Sequence, residues 1–326
     1  MLRTRLTEAL AIDHPVISAP MAFAAGGALA AAVSNAGGLG LIGGGYGDAE
    51  WVEAQFAAAG NRRVGCGFIT WNVTDRPELI DIALAHDPAA IFLSFGDPAP
   101  LAAKVKDAGV RLICQVQSIA DANRAIDCGA NVIVAQGSEA GGHGEKRGTM
   151  TLVPEVADLL AQRSPQTLLC AAGGIVDGRG LAASLMLGAD GVLMGSRFWA
   201  TREALVHPNM HDAATAAGGD DTIRSSVMDI VRGRNWPGRF TARVLVNDFT
   251  RAWHGREAAL AEQTGELGPR WDKAWAEGDV SLANTFIGEG VGMIDSIEPA
   301  GALLHRIVGE AEALLQAKAG RPLSAV

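Results

Sequence analysis

Leu168-Leu169-Cys170-Ala171-Ala172-Gly173-Gly174-Ile175-Val176-Asp177-Gly178-Arg179-Gly180 joins a short apolar run, a glycine turn and the opening of a helix. The same order recurs at Val192-Leu193-Met194-Gly195-Ser196-Arg197. Working outward from these two, the alternation extends back to His14, with apolar runs at 15–19, 39–42, 64–69, 90–95, 111–116, 132–135, 168–171 and 192–194. Ala- and Leu-rich stretches at helical spacing lie between them, one of them read as 154–162. Eight parallel strands with intervening helices in about 200 residues predict an α/β fold of the (β/α)8 TIM-barrel kind. An open doubly wound sheet is the alternative.

After Arg197 the alternation stops. The stretch from Ala204 to Pro299 holds Trp236, Trp253, Trp271 and Trp275, few β runs and loops such as Asn235-Trp236-Pro237-Gly238, and reads as a second, mainly helical domain with its tryptophans in the core. Leu303, Leu304, Ile307, Val308, Ala311, Leu314 and Leu315 then recur at the spacing of one amphipathic helix. The expected organisation is a barrel over 1–203, a helical cap over 204–299, and a C-terminal helix within 300–326 that packs back on the barrel.

With 48% hydrophobic and 19% charged residues in 326, the composition excludes a disordered chain. A net charge of −9 offers no electrostatic footprint for nucleic acid or an anionic lipid surface. The longest apolar runs fall far short of the ~20 residues that cross a bilayer. Cys66, Cys114, Cys128 and Cys170 are widely spaced and the N-terminus lacks a signal-peptide core, so reduced thiols in a cytoplasmic protein are expected. No oligomeric state follows from the sequence, and a homo-oligomer stays open.

Two glycine-rich turns point to a ligand. In barrels of this kind the loops after strands seven and eight commonly hold a phosphate group, because backbone N–H groups reach oxygens that no side chain obstructs. Gly173, Gly174 and Gly195 supply such turns and Ser196 adds a hydroxyl donor. Gly38-Leu39-Gly40-Leu41-Ile42-Gly43 also fits a dinucleotide fingerprint by its letters, but its glycines overlap strand two and residue 63 is Arg, so that reading is set aside. Of seven histidines, His143 is the one on a predicted catalytic-face loop, Gln136 through Gly144 after strand six. The flanking glycines leave its imidazole room to meet a ligand. His207 and His211 have zinc-ligand spacing, but no glutamate follows His207 and Pro208 reads as a first-turn residue, so no metal is expected. Lys146 lies three residues past His143, off any strand, which disfavours Schiff-base chemistry.

Ala19-Pro20-Met21, Asn72, Gln136 through Gly144, Ala172 through Gly180, and Gly188-Ala189-Asp190-Gly191 into Met194-Gly195-Ser196-Arg197-Phe198 together resemble the nitronate monooxygenase family, formerly 2-nitropropane dioxygenase. The family also includes NADH:quinone reductases and flavin-dependent enoyl-acyl-carrier-protein reductases. The resemblance implies a barrel binding FMN at its C-terminal face beneath a helical domain. It puts the FMN phosphate on Gly173, Gly174, Gly195 and Ser196, Met21 beside the isoalloxazine, Asn72 and Gln136 at polar flavin edges, and Gly141 at close approach. Ala19, Met194 and Gln115 join the cofactor-binding set, Gln115 standing where some relatives carry Lys. His143 matches the active-site histidine, whose imidazole, with an unperturbed pKa of about 6.5, would take the α-proton of a nitroalkane as base or hydrogen-bond a bound nitronate as a substrate-binding residue. The implied activity is oxidation of alkyl nitronates or nitroalkanes by O2 to a carbonyl compound and nitrite. The alternative is an NAD(P)H-dependent FMN reductase acting on quinones or enoyl thioesters.

Overall fold

Five strands, β2 (Leu41–Gly45), β3 (Gly65–Ile69), β4 (Ala90–Ser94), β6 (Val132–Gln136) and β8 (Leu168–Ala172), are buried at every residue. Strands covered on both faces read as continuous apolar runs, and this is why they were legible without alternation. In the computed structural model, which describes residues 2–319, they join β1 (Val16–Ser18), β5 (Arg111–Val116) and β9 (Gly191–Met194) in one parallel sheet of order β1-β9-β8-β6-β5-β4-β3-β2. The two outer strands meet through a parallel bridge between Ile17 and Leu39. There the Leu39 N–H donates to Val16 O at 3.0 Å and the Ser18 N–H to Leu39 O at 3.0 Å. The result is a TIM barrel.

Most boundaries differ from the sequence reading by one or two residues, and two elements differ by more. The second strand runs over Leu41–Gly45 rather than 39–42, carried on through a register shift between Gly43 and Gly45. The helix expected to begin at Pro154 spans Thr149–Arg163 and keeps Pro154 inside it. Its true start is set from a distance, by the Glu139 carboxylate accepting the Thr149 N–H at 2.9 Å, a cap that local spacing does not reveal.

Residues 204–299 form helices Pro208–Thr215, Val227–Val231, Asp248–Trp253, Glu257–Ala261 and Thr264–Glu277 with two strands, β10 (Thr222–Ser225) and β11 (Thr241–Leu245). The third strand of their sheet comes from the barrel. It is β7 (Gly142–Gly144), in the loop after β6, which pairs antiparallel with β11. Met228, Val231, Val244, Phe249, Leu260 and Trp271 fill a core between this sheet and its helices, continuous with Trp199 of the barrel.

The last helix, Ala300–Ala319, packs on helices Gly178–Met186 and Gly27–Asn35 and buries Leu303, Leu304, Ile307, Val308 and Ala311. Residues 320–326 of the expected C-terminal segment lie outside the described residues. A second tie is ionic. Arg197, 1% exposed, donates to Ala200 O and Ser296 O at 3.1 Å each and pairs with Glu298 at 2.6 Å; the same carboxylate oxygen holds Arg306 of the last helix at 2.6 Å. Among the described residues no helix is long and apolar enough to cross a membrane. Leu304→Ala, which removes a fully buried side chain at the helix–barrel seam, is expected to lower the unfolding free energy by about 2–5 kcal/mol, read as a lower urea midpoint at unchanged slope.

Candidate active site

At the C-terminal ends of the strands lies a cavity of about 670 Å³. Its barrel side is made by the Ala19-Pro20-Met21 turn after β1, Gln115 of β5, Gln136 of β6 and the turns after β8 and β9. Trp236, Trp275, Phe286 and Arg232 enclose it from residues 204–299. Among the described lining residues, Arg232 is the one with a permanent charge, so the space is chiefly aromatic and apolar. Two lining residues, Phe23 (φ 64°) and Phe95 (φ 61°), hold a left-handed backbone that costs a bulky residue energy, an outlier of the kind that clusters at functional sites.

His143 sits in β7, opposite Ala242 of β11. A chain of amides sets its backbone: Gln136 Nε2 donates to His143 O at 3.1 Å, while Gln136 Oε1 accepts from Gln115 Nε2 at 3.1 Å and Gln117 Nε2 at 2.8 Å. The imidazole stacks on Trp236 with ring centres 3.4 Å apart and planes 5° from parallel. Trp236 in turn donates its indole N–H to Tyr46 Oη at 2.9 Å. His143 Nε2 lies 2.8 Å from Asp229 Oδ2, with side chains 10% and 3% exposed. Burial holds the imidazole pKa below its ordinary 6.5, against the opposing pull of the Asp229 carboxylate. The ring is therefore neutral at neutral pH. Burial also raises the Tyr46 phenol above its usual 10, so that side chain stays protonated.

The turns after β8 and β9 form the opposite wall. Gly173 has φ 105°, and a Cβ there would lie 2.9 Å from both Gly137 O and Thr149 Oγ1, so no other residue fits the turn. Ser196 Oγ accepts the Gly288 N–H at 2.9 Å and keeps its own proton to donate. A Cβ at Gly141 would lie 2.6 Å from Gly288 N; the close approach at this glycine is to the Ile287–Gly288 backbone.

Ala19, Met21, Gln115, Gln136, Gly141, His143, Gly173, Gly174, Gly195 and Ser196 all line this one cavity. Asn72 and Met194 do not. Asn72 donates its amide to Tyr46 O at 2.5 Å and lines a neighbouring cleft of about 310 Å³, because the segment after β3 turns into helix Thr70–Val73 and carries the residue away. Met194, 1% exposed, lies in the layer between strands and helices. The expectation that the tryptophans of 204–299 are core fails for Trp236 and Trp275, which line the cavity, and holds for Trp271, 3% exposed. Asp229, Arg232 and Tyr46 were missed; each reaches the site by long-range folding, and no local spacing marks them. His207 caps helix Pro208–Thr215, with Pro208 in its first turn, and His211 Nε2 bonds Trp199 O at 2.9 Å. Among the described residues no group of three His, Cys, Asp or Glu could hold a metal ion.

The model of the nitronate monooxygenase family matches residues 3–63 and 69–310. The chain belongs to that family. A nitronate monooxygenase of Metarhizium robertsii is 35% identical, with 97% of each chain covered. Among solved structures, FabK from Thermotoga maritima superimposes with a TM-score of 0.86 at 31% identity, covering 98% of this chain and 99% of its own. A nitroalkane oxidase from Streptomyces ansochromogenes gives 0.80 at 26% identity, covering 97% and 100%. This member of the nitronate monooxygenase family is thus an oxidoreductase from an FMN-dependent group. Gly173→Ala is expected to destabilise it by about 1–3 kcal/mol, visible as a lowered thermal midpoint, since both the backbone angle and the space exclude a methyl group.

Proposed function

We propose that this chain binds FMN and oxidises alkyl nitronates, and the nitroalkanes from which they form, with O2, releasing a carbonyl compound and nitrite. What carries this reading is one arrangement: a buried, neutral imidazole at His143 shares a cavity with two glycine turns at the ends of β8 and β9. A phosphate suits those turns, where backbone N–H groups and the Ser196 hydroxyl can reach its oxygens. Gly173, Gly174, Gly195 and Ser196 would hold the phosphate; Ala19, Met21, Gln115, Gln136 and Gly141 would border the ring. When bound, FMN supplies the electron acceptor for the substrate and the centre at which O2 is reduced. The protein's own part is acid–base chemistry and enclosure. His143 takes the α-proton of a nitroalkane at Nδ1, the ring nitrogen that Asp229 does not engage. Trp236, Phe95 and Phe286 surround the imidazole with aromatic rings, which keeps water from competing for it.

The purified protein should be yellow. Mixed anaerobically with propionate 3-nitronate it should bleach quickly; bleaching by NADH alone would favour the NAD(P)H-dependent reductase of quinones or enoyl thioesters instead.

His143→Asn is expected to keep flavin and fold but lose nitroalkane turnover by about 10²-fold or more, while preformed nitronates suffer less. Burial favours the neutral base, so nitroalkane kcat/KM should hold down through the ordinary histidine range and fall only as pH drops through an apparent pKa below 6.5. Gly174→Asp should purify without flavin, because its carboxylate would oppose a phosphate; a stoichiometric complement of FMN in that variant would mean the phosphate lies elsewhere.

A further inference from the structure

Asp229 lies 86 residues along the chain from His143, on helix Val227–Val231. Both oxygens of its buried carboxylate are engaged. Oδ2 meets His143 Nε2 at 2.8 Å, and Oδ1 accepts from Arg232 Nη2 at 2.9 Å. Arg232 is itself held, its Nε donating to Met228 O at 2.8 Å and its guanidinium carbon lying 5.2 Å from the ring centres of both Trp271 and Phe286. A carboxylate paired with a guanidinium is ionised, and an ionised carboxylate can only accept. The hydrogen bond to His143 therefore has its proton on Nε2, which leaves the Nδ1 lone pair free. The remaining charges near the ring do not offer Nε2 another acceptor. Arg232 and Arg224, the latter from β10 and paired to Ser138 O at 3.2 Å, are cations; Tyr46, from the loop after β2, is a protonated phenol. Glu145 is committed to Arg239.

We propose that Asp229 is a positioning residue that fixes His143 in the Nε2–H tautomer, so that Nδ1 is the base, with Arg232 holding the other oxygen of the carboxylate. The assignment of a base at all rests on the function proposed above. In that step the substrate's α C–H bond breaks, its electron pair stays on the substrate as the nitronate, and the proton goes to Nδ1. The imidazolium so formed still donates Nε2–H to Asp229, which stabilises its new charge.

The test is a substitution that keeps shape and inverts the hydrogen bond. In Asp229→Asn, Arg232 still needs an acceptor, so the amide oxygen is drawn to Arg232 and the amide NH2 faces His143 Nε2. An NH2 facing Nε2 demands a lone pair there and moves the ring proton to Nδ1. The 15N shifts of the His143 ring, measured in flavin-loaded protein with labelled histidine, distinguish the two tautomers without turnover. Expected are Nε2–H in the wild type and Nδ1–H in Asp229→Asn. Kinetically, the ratio of nitroalkane to nitronate kcat/KM should fall by about 10²-fold, and the acid limb of the nitroalkane profile should move to lower pH, as the imidazolium loses its carboxylate. Asp229→Glu, which retains an anionic acceptor, should recover the Nε2–H form and most of that ratio. An Nδ1–H signal in the wild type overturns the proposal whether or not any variant folds. So does an Asn variant with unchanged tautomer, ratio and pH profile. If the wild type turns over neither nitroalkane nor nitronate, the proposed function falls while the tautomer measurement still decides the role of Asp229.

Discussion

A three-residue antiparallel ladder, Gly142–Gly144 against Thr241–Arg243, is the constraint on which the site depends. A barrel loop of this kind would otherwise be free to wander over the strand ends. Pairing with β11 makes it an edge of another sheet, and His143 in its middle gains the rigidity of a strand. Beneath it, Arg224 and Arg243, directly opposite one another in β10 and β11, both donate to Ser138 O. Two arginines converging on one carbonyl oppose each other, and burial with this repulsion pulls the Arg224 pKa down to about 10. The carboxylate of Glu289, 2.6 Å from Arg243, offsets part of that cost. The imidazole is thus placed by backbone pairing, not by contacts of its own ring alone.

The polar elements of the cavity form a short sequence of dependencies. Gln115 and Gln117 orient the amide of Gln136, which holds the His143 carbonyl; Asp229 meets the ring from the other side, and Arg232 meets Asp229. In a space walled by aromatic rings each of these groups would be costly if left without a partner, so the network and the apolar walls depend on each other.

The barrel was legible because its strands are buried on both faces and punctuated by glycine turns, signals that act over a few residues. The floor of the cavity was legible for the same reason: the turns after β1, β6, β8 and β9 carry their chemistry in consecutive letters. What escaped reading came from folding over distance. Asp229 sits on a five-residue helix that Arg232 caps, and its sequence, Val227-Met228-Asp229-Ile230-Val231, gives no hint that it faces a histidine 86 positions earlier. Trp236 reads as core because large aromatic residues usually are, but it is held at the cavity by its stack on His143 and its bond to Tyr46. Asn72, which the family resemblance puts at a polar flavin edge, lines the neighbouring cleft instead, since Thr70–Val73 turns into a helix and its amide satisfies a loop carbonyl. The start of helix Thr149–Arg163 has no local signal because its cap arrives from Glu139, ten residues upstream.

One carboxylate, that of Glu298, serves two cations: the interior Arg197, next in the chain to Ser196, and Arg306 on the terminal helix. Helix Ala300–Ala319 is therefore tied by charge to the segment beside the floor of the cavity. Shortening the chain ahead of residue 300 would strip one of the two counter-charges from that shared anion, bare the apolar flank of the neighbouring helices, and be felt beside the proposed phosphate turn rather than only at the molecular surface. Helix Ala300–Ala319 is thus a structural support of the segment that carries Ser196.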